Sequence, residues 1–173
     1  QGIWHRYFGR RLSECKVGII GLGRIGQRVI KLLSGFEIEA ILVNDIDSTI
    51  DLEASDQIIF KDKEAIYREA DIISLHVPLT KETEFMIGKT QFAMMKDDAI
   101  VVNTSRGGII DEQALFSALE TNRIGGAAID VFEQEPYKGD LNKLHNCLLT
   151  AHMGSMSVDC RTQMELEATE DAV

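Results

Sequence analysis

The sequence predicts an α/β protein, a doubly wound parallel sheet with helices on both faces. Three observations predict it. Short apolar runs alternate with helical patterns along most of the chain, as a parallel sheet with crossover helices requires. One apolar run, KVGIIG, passes straight into the glycine loop GLGRIG and then into a helical pattern. The 173 residues are 45% hydrophobic and 27% charged, which suits one soluble domain with a real core.

Each element follows from its own pattern. KVGIIG (16–21) reads as a buried strand. Residues 25–34 read as a helix with Ile25, Val29, Leu32 and Leu33 on one side. AILVN (40–44) is the next strand, and QIIF (57–60) a short third one. KEAIYREA (63–70) is a short helix, and DIISLHV (71–77) a strand stopped by Pro78. GKTQFAMMK (88–96) is a helix and AIVVNT (99–104) a strand. DEQALFSALETN (111–122) is a helix with Asp111 as N-cap and Ala114, Leu115, Ala118 and Leu119 as its buried stripe. GAAIDVF (126–132) and CLLTA (147–151) are further strands. From about Ser157 the chain reads as helical again, with Cys160, Met164, Ala168 and Ala172 at spacing four.

Composition narrows the function. A formal net charge of −10 argues against a phosphate-tracking nucleic-acid binder, though not against an anionic small molecule. Cys15, Cys147 and Cys160 are odd in number and show no CxxC spacing, so free thiols are expected rather than a metal site or a disulfide framework. No apolar run approaches the ~18 residues of a spanning helix. The opening QGIWHRYFGRRL lacks the apolar stretch of a signal peptide. The expected location is the cytoplasm, with no membrane partner.

The glycine loop stands between a strand and a helix, the context a dinucleotide requires. Gly21 permits the tight turn, Gly23 lets the backbone approach a pyrophosphate, and Gly26 lets the helix pack against the strand. The helix N-terminus, with the amides of Arg24 and Ile25, faces the anion. The fingerprint also asks for an acid about 20 residues on, for the ribose hydroxyls. VNDID supplies Asn44, Asp45 and Asp47 there. An acid repels a 2′-phosphate, and no Arg or Lys stands near Asn44, so NAD is expected rather than NADP.

Three polar residues stand at or just after strand ends in the second half: Arg106, Glu135 and His152. Taken singly, each has a bland reading as a surface or turn residue. Taken together, they lie where a ligand of such a sheet binds. An imidazole beside an acid keeps a fixed tautomer and its proton near neutral pH. A guanidinium binds a carboxylate through two parallel hydrogen bonds. Hydride transfer to a 2-keto acid needs these three groups and a nicotinamide. His76 reads as a half-buried strand residue rather than a catalyst.

With these motifs in hand, the chain resembles the cofactor domain of the D-isomer-specific 2-hydroxyacid dehydrogenases, the family of D-3-phosphoglycerate dehydrogenase and the glyoxylate/hydroxypyruvate reductases. VGIIGLGRIGQ, ADIISLHVPLTKETEFMI, VVNTSRGGIIDEQAL, AAIDVFEQEP and LLTAHMGSMS follow in family order. The resemblance implies a Rossmann fold and an NAD-dependent oxidoreductase. Arg106 would bind the substrate carboxylate and carbonyl. His152 would be the acid in reduction and the base in oxidation, with Glu135 paired to it. Asp130 matches the position that holds the nicotinamide carboxamide. Gly154 and Ser155 match a segment lining the nicotinamide, with Thr104 and Ser105 beside it. Val77 and Pro78 match the wall of the adenosine pocket. Asp130 also has a plain reading as a strand-end cap.

Two departures stand out. Counting from Gly21, the family's ribose acid falls on Asn44, so either a one-residue shift to Asp45 restores it or the ribose contact is weaker. The common Pro before the catalytic His is Ala151. The resemblance further implies a homodimer. It makes residues 1–173 an NAD-binding domain, with 1–14 and 156–173 as hinge segments leading to a substrate domain absent from this sequence. Such a piece is expected to bind NAD(H) with little turnover. Two other functions share the fold: an NADH-responsive corepressor-like binding module, and a formate or phosphite dehydrogenase.

Overall fold

A computed structural model of the chain describes residues 9–47, 49, 50, 52 and 55–170. Its strands are β1 (Lys16–Ile20), β2 (Ala40–Asn44), β3 (Ile58–Phe60), β4 (Ile72–Leu75), β5 (Ile100–Asn103), β6 (Gly126–Ile129) and β7 (Cys147–Leu149). They form one sheet in the order β3-β2-β1-β4-β5-β6-β7. Every pairing is parallel. The order reverses between β1 and β4, so a crevice opens beyond the carboxyl ends of those two strands.

The helices are α1 (Arg24–Leu33), α2 (Lys63–Glu69), α3 (Lys89–Met94), α4 (Glu112–Glu120) and α5 (Val158–Glu170). Alternate strand residues face opposite sides. Ile20, Leu42, Ile73, Leu75, Val101 and Ile129 pack in one core with α2, α3 and α4. Val17, Ile19, Ile41 and Val43 pack in a second core with Ile30 of α1. Helices therefore lie on both faces, as the sequence predicts. The α1 face thins out along the sheet. The register puts Ile19, Ser74, Val102, Ala128 and Leu148 in one row on that face. Its last member, Leu148, is 66% exposed.

The strand and helix assignments hold to within two residues at most ends. Asp111 caps α4 as expected, accepting from the amides of Gln113 and Ala114 at 3.0 Å each. The stripe expected on α1 holds for Val29 and Leu33, which pack against the second core, and differs at its other two residues. Ile25 and Leu32 are 63% and 65% exposed, and the buried residues are Gly26 and Ile30. The reason is steric. A Cβ on Gly26 would overlap the Gly21 carbonyl oxygen, so the helix touches the sheet along the Gly26–Ile30 line. That rotation turns Ile25 outward. On α5 the expected helix is present, but it buries no residue, and Met164 is about half exposed. Ala172 lies outside the described residues.

Candidate active site at the carboxyl edge of the sheet

The glycine loop leaves β1 by a sharp turn. Gly21 has φ +100°, a conformation that costs a residue with a side chain, and a Cβ there would also strike the His76 carbonyl. Its amide donates to the Asn44 carbonyl at 2.8 Å, joining the ends of β1 and β2. Gly23 is the N-cap of α1 and supplies no side-chain cap. A Cβ built on it meets nothing within 4 Å. The first-turn amides of α1 therefore face open space beside a bare backbone. That is the fit expected of a pyrophosphate cradle.

Asn44 and Asp45 divide the work at the end of β2. The Asn44 side-chain amide donates to the Lys61 carbonyl at 2.8 Å, away from the loop. The Asp45 carboxylate accepts from the Leu22 amide of the glycine loop at 2.5 Å and from the Asp47 amide at 2.9 Å. The acid beside the loop is thus Asp45, one residue later than the resemblance counts. Sequence reading misses Gln27, whose side chain donates to the Leu22 carbonyl at 2.7 Å and braces the loop from α1.

Val77 and Pro78 follow β4; Val77 is half-buried beside Gly21, and Pro78 is exposed. His76 donates its backbone amide to Ile20 and places Nε2 2.9 Å from the Ser74 hydroxyl. Burial lowers its pKa, which keeps the ring neutral. His76 is half-buried, as read from the sequence, and lies one residue past β4.

Arg106 leaves β5 on a loop tied down by Asn103. The buried Asn103 side chain donates to the Arg106 carbonyl at 2.9 Å and accepts from the Ser105 amide and hydroxyl at 3.1 and 2.8 Å. Asn103 is a positioning residue the sequence reading did not single out, although a polar residue ending an apolar strand is a usable signal. The exposed Arg106 guanidinium donates to the Ser105 carbonyl at 2.6 Å and, among the described residues, forms no ion pair. Thr104 is exposed and Ser105 half-buried.

Glu135 and His152 meet. Glu135 Oε2 lies 2.9 Å from His152 Nδ1. Glu135 Oε1 accepts from the Phe132 amide at 3.1 Å, so the carboxylate is held from two sides. The His152 bond, then the Phe132 amide, keep the Glu135 carboxyl below its ordinary range. A carboxylate on Nδ1 fixes the tautomer and leaves Nε2 as the ring nitrogen facing outward.

At Asp130 the carboxyl group is bonded by the chain itself. Its carboxylate is 5% exposed and accepts from the Thr150 hydroxyl and from the amides of Met153 and Gly154. Burial pushes its pKa up, but those donors outweigh burial and the net direction is down. Ser155 is half-buried and Gly154 exposed on the same turn.

Arg106, Glu135 and His152 thus come from three neighbouring strands, β5, β6 and β7, on the edge that also carries the glycine loop of β1. Fold and edge together define a dinucleotide-binding domain of the Rossmann class. The comparisons with known proteins carry the assignment further. Residues 1–154 match the model of the D-isomer specific 2-hydroxyacid dehydrogenase, NAD binding domain. The chain belongs to that family and is an NAD-binding domain. It is 43% identical over 166 residues to a glyoxylate reductase of Thermococcus litoralis, covering 93% of this chain and 49% of that protein. It is 38% identical over 179 residues to a D-3-phosphoglycerate dehydrogenase of Archaeoglobus fulgidus, covering 100% of this chain and 33% of that one. Among solved structures, D-lactate dehydrogenase with NAD+ from Lactobacillus jensenii superposes with TM-score 0.83 at 33% identity, over 94% of this chain and 53% of the other. The chain therefore spans between a third and about half of the length of these relatives. No helix among the described residues is long and apolar enough to cross a membrane.

Proposed function

We propose that this chain is the cofactor half of an NAD-dependent oxidoreductase that moves a hydride between the nicotinamide and a small D-2-hydroxy or 2-keto acid. The observation that carries the reading is the Glu135–His152 contact of 2.9 Å on the same sheet edge as the glycine loop. When bound, NAD supplies the hydride acceptor or donor. Everything else falls to this chain. Gly21, Gly23, Arg24, Ile25 and Gly26 shape the phosphate cradle. Asp45 is the ribose acid, its carboxylate already on the Leu22 amide, and an acid there favours NAD over NADP. Val77 and Pro78 flank the adenosine side. Thr104, Ser105, Gly154 and Ser155 border the nicotinamide side. Arg106 binds the substrate carboxylate with its exposed fork. His152 holds a proton at Nε2 for the carbonyl oxygen in reduction and takes it back in oxidation. Glu135 keeps the imidazole oriented through Nδ1.

Substrate closure requires a second domain, with residues 1–14 and 156–173 as the connections to it, and the working unit is a homodimer in the cytoplasm. The half-length match to the relatives supports the first point. The free state of the described cysteines suits the reducing compartment. The test uses the full-length protein, NADH and a panel of 2-keto acids. Arg106→Ala and His152→Gln are each expected to reduce kcat/KM by about a thousandfold or more while NADH still binds. Turnover that survives both changes sinks the role assignment. Absent turnover on every acid, with an oligomer size that responds to NADH, moves the reading to a corepressor-like binding module.

A further inference from the structure

We propose that Asp130 is a positioning residue for the acid–base histidine: with the Thr150 hydroxyl, its carboxylate holds the turn that presents His152 to Glu135. The proposal rests on the reading of His152 as the proton donor.

The chain after β7 turns back at residues 150–154, and two residues at the end of β6 hold nearly all of that turn. The Thr150 amide donates to the Ile129 carbonyl at 3.0 Å, and the His152 amide to the Asp130 carbonyl at 2.8 Å. The Thr150 hydroxyl donates to Asp130 Oδ1 at 2.5 Å. The Met153 amide reaches both carboxylate oxygens at 2.9 Å. The Gly154 amide reaches Oδ2 at 3.2 Å. A carboxylate offers about four lone-pair positions. Three donors of the chain itself make four contacts with it, the Met153 amide being shared between both oxygens.

The turn needs such a hold. His152 has φ +52°, a left-handed backbone that a residue with a Cβ adopts only at a cost. The bonds bracket it: one residue group before it, one on its own amide, two after it. A left-handed residue between fixed neighbours has a fixed side-chain direction, and here that direction puts Nδ1 on Glu135. Asp130 is itself anchored, its amide donating to the Asn103 carbonyl at 3.0 Å. The Asn103 side chain in turn holds the Arg106 loop. Asp130 therefore sets His152 from the strand end next to the one that holds the Arg106 loop.

The experiment reads the turn in the dinucleotide-free chain. Amide hydrogen exchange at Met153 and Gly154, and the imidazole 15N signature of His152, are compared by NMR in the unaltered chain, Asp130→Asn, Thr150→Val and Thr150→Ser. In Asp130→Asn both amides are expected to exchange roughly tenfold faster or more, the size of one charge-assisted hydrogen bond. The His152 ring is expected to pass from one tautomer to a mixture. Thr150→Val, at an exposed position, is expected to move both readouts in the same direction with its melting temperature unchanged, and Thr150→Ser to restore them. If Asp130→Asn does not fold, the Thr150 pair decides. Unchanged exchange and an unchanged tautomer overturn the proposal. If those came with NADH binding weakened relative to ADP-ribose, the carboxylate would serve the carboxamide instead. Full-length His152→Gln that kept its turnover would sink the proton-donor reading without altering the exchange result, so the two failures are separable.

Discussion

Asp71 and Asp130 are both buried carboxylates, 3% and 5% exposed, at opposite edges of one sheet. Asp71 precedes β4 at the amino edge. It accepts from Arg10 at 2.9 Å, Lys96 at 2.8 Å and the Lys16 amide at 2.7 Å. Two cations and an amide, from three separate stretches of chain, meet one carboxylate. Asp130 follows β6 at the carboxyl edge and meets a hydroxyl and amides. The first arrangement spends its charge on closing the fold. The second spends its bonds on a strained turn, beside polar groups that face outward: the exposed Arg106 fork, the outer nitrogen of His152, and the first-turn amides of α1. The amino edge of this sheet is built to be satisfied, and the carboxyl edge is built to meet a ligand.

The largest expected effect breaks the amino edge. Asp71→Ala takes the buried carboxylate from Lys96 and leaves Arg10 with the exposed Asp98, and the loss is expected to be about 3 kcal/mol in urea unfolding. NADH titration of the folded protein should give an unchanged affinity. A loss below about 1 kcal/mol would mean that Arg10 and Lys96 simply turn to solvent and that the edge is not the anchor described.

The next effect belongs to the carboxyl edge alone. Gly23→Ala adds a Cβ that meets nothing within 4 Å, on a backbone with φ −65° that Ala accepts. Stability is expected within about 0.5 kcal/mol of the parent. NADH affinity is expected to fall at least about tenfold, because the Cβ fills the space a phosphate needs. Gly26→Ala sharpens the contrast. Its Cβ would overlap the Gly21 carbonyl, so it should lose stability as well as affinity.

The smallest effects concern pH. At Asp71, burial raises the pKa, the bonds to Lys96, the Lys16 amide and Arg10 lower it, and the net direction is down. Asp130 also stands below its ordinary value in the fold. For a carboxylate depressed in the fold, the stability is complete above its unfolded pKa and is lost as pH falls through the folded one. Both edges should therefore weaken together below about pH 4, and Asp71→Asn should flatten that acid limb. His76 acts over a different range. Its pKa is lowered by burial, so the unfolded chain takes the proton first. That share of stability is complete above about 6.5 and fades as pH falls. His76→Gln should flatten the slope of unfolding free energy between pH 5 and 7, a change readable by urea titration at several pH values.

The parallel sheet was legible because strand patterns are local: each apolar run is short, and some crossover helices carry their own caps, as Asp111 shows for α4. The glycine loop was legible because its roles follow from chain sterics at fixed spacing. Arg106, Glu135 and His152 could be picked out by their places after strand ends and by the family motifs around them. The exposed side of α1 was not legible. Periodicity names an apolar stripe, but the close approach of Gly26 to Gly21 decides which line of the helix meets the sheet.

The sequence by itself determined the order of strands and helices, the loop that a dinucleotide can approach, and the residue types available for acid–base chemistry. Only the tertiary structure decided which of two adjacent residues, Asn44 or Asp45, puts its side chain on the glycine loop. Only it brought Asn103 under the Arg106 loop and filled the Asp130 carboxylate with the turn of His152. The physical reason is the same in each case. Backbone propensity and spacing are written along the chain, whereas a polar side chain chooses its partner from whatever donors and acceptors the packed strands bring within about 3 Å.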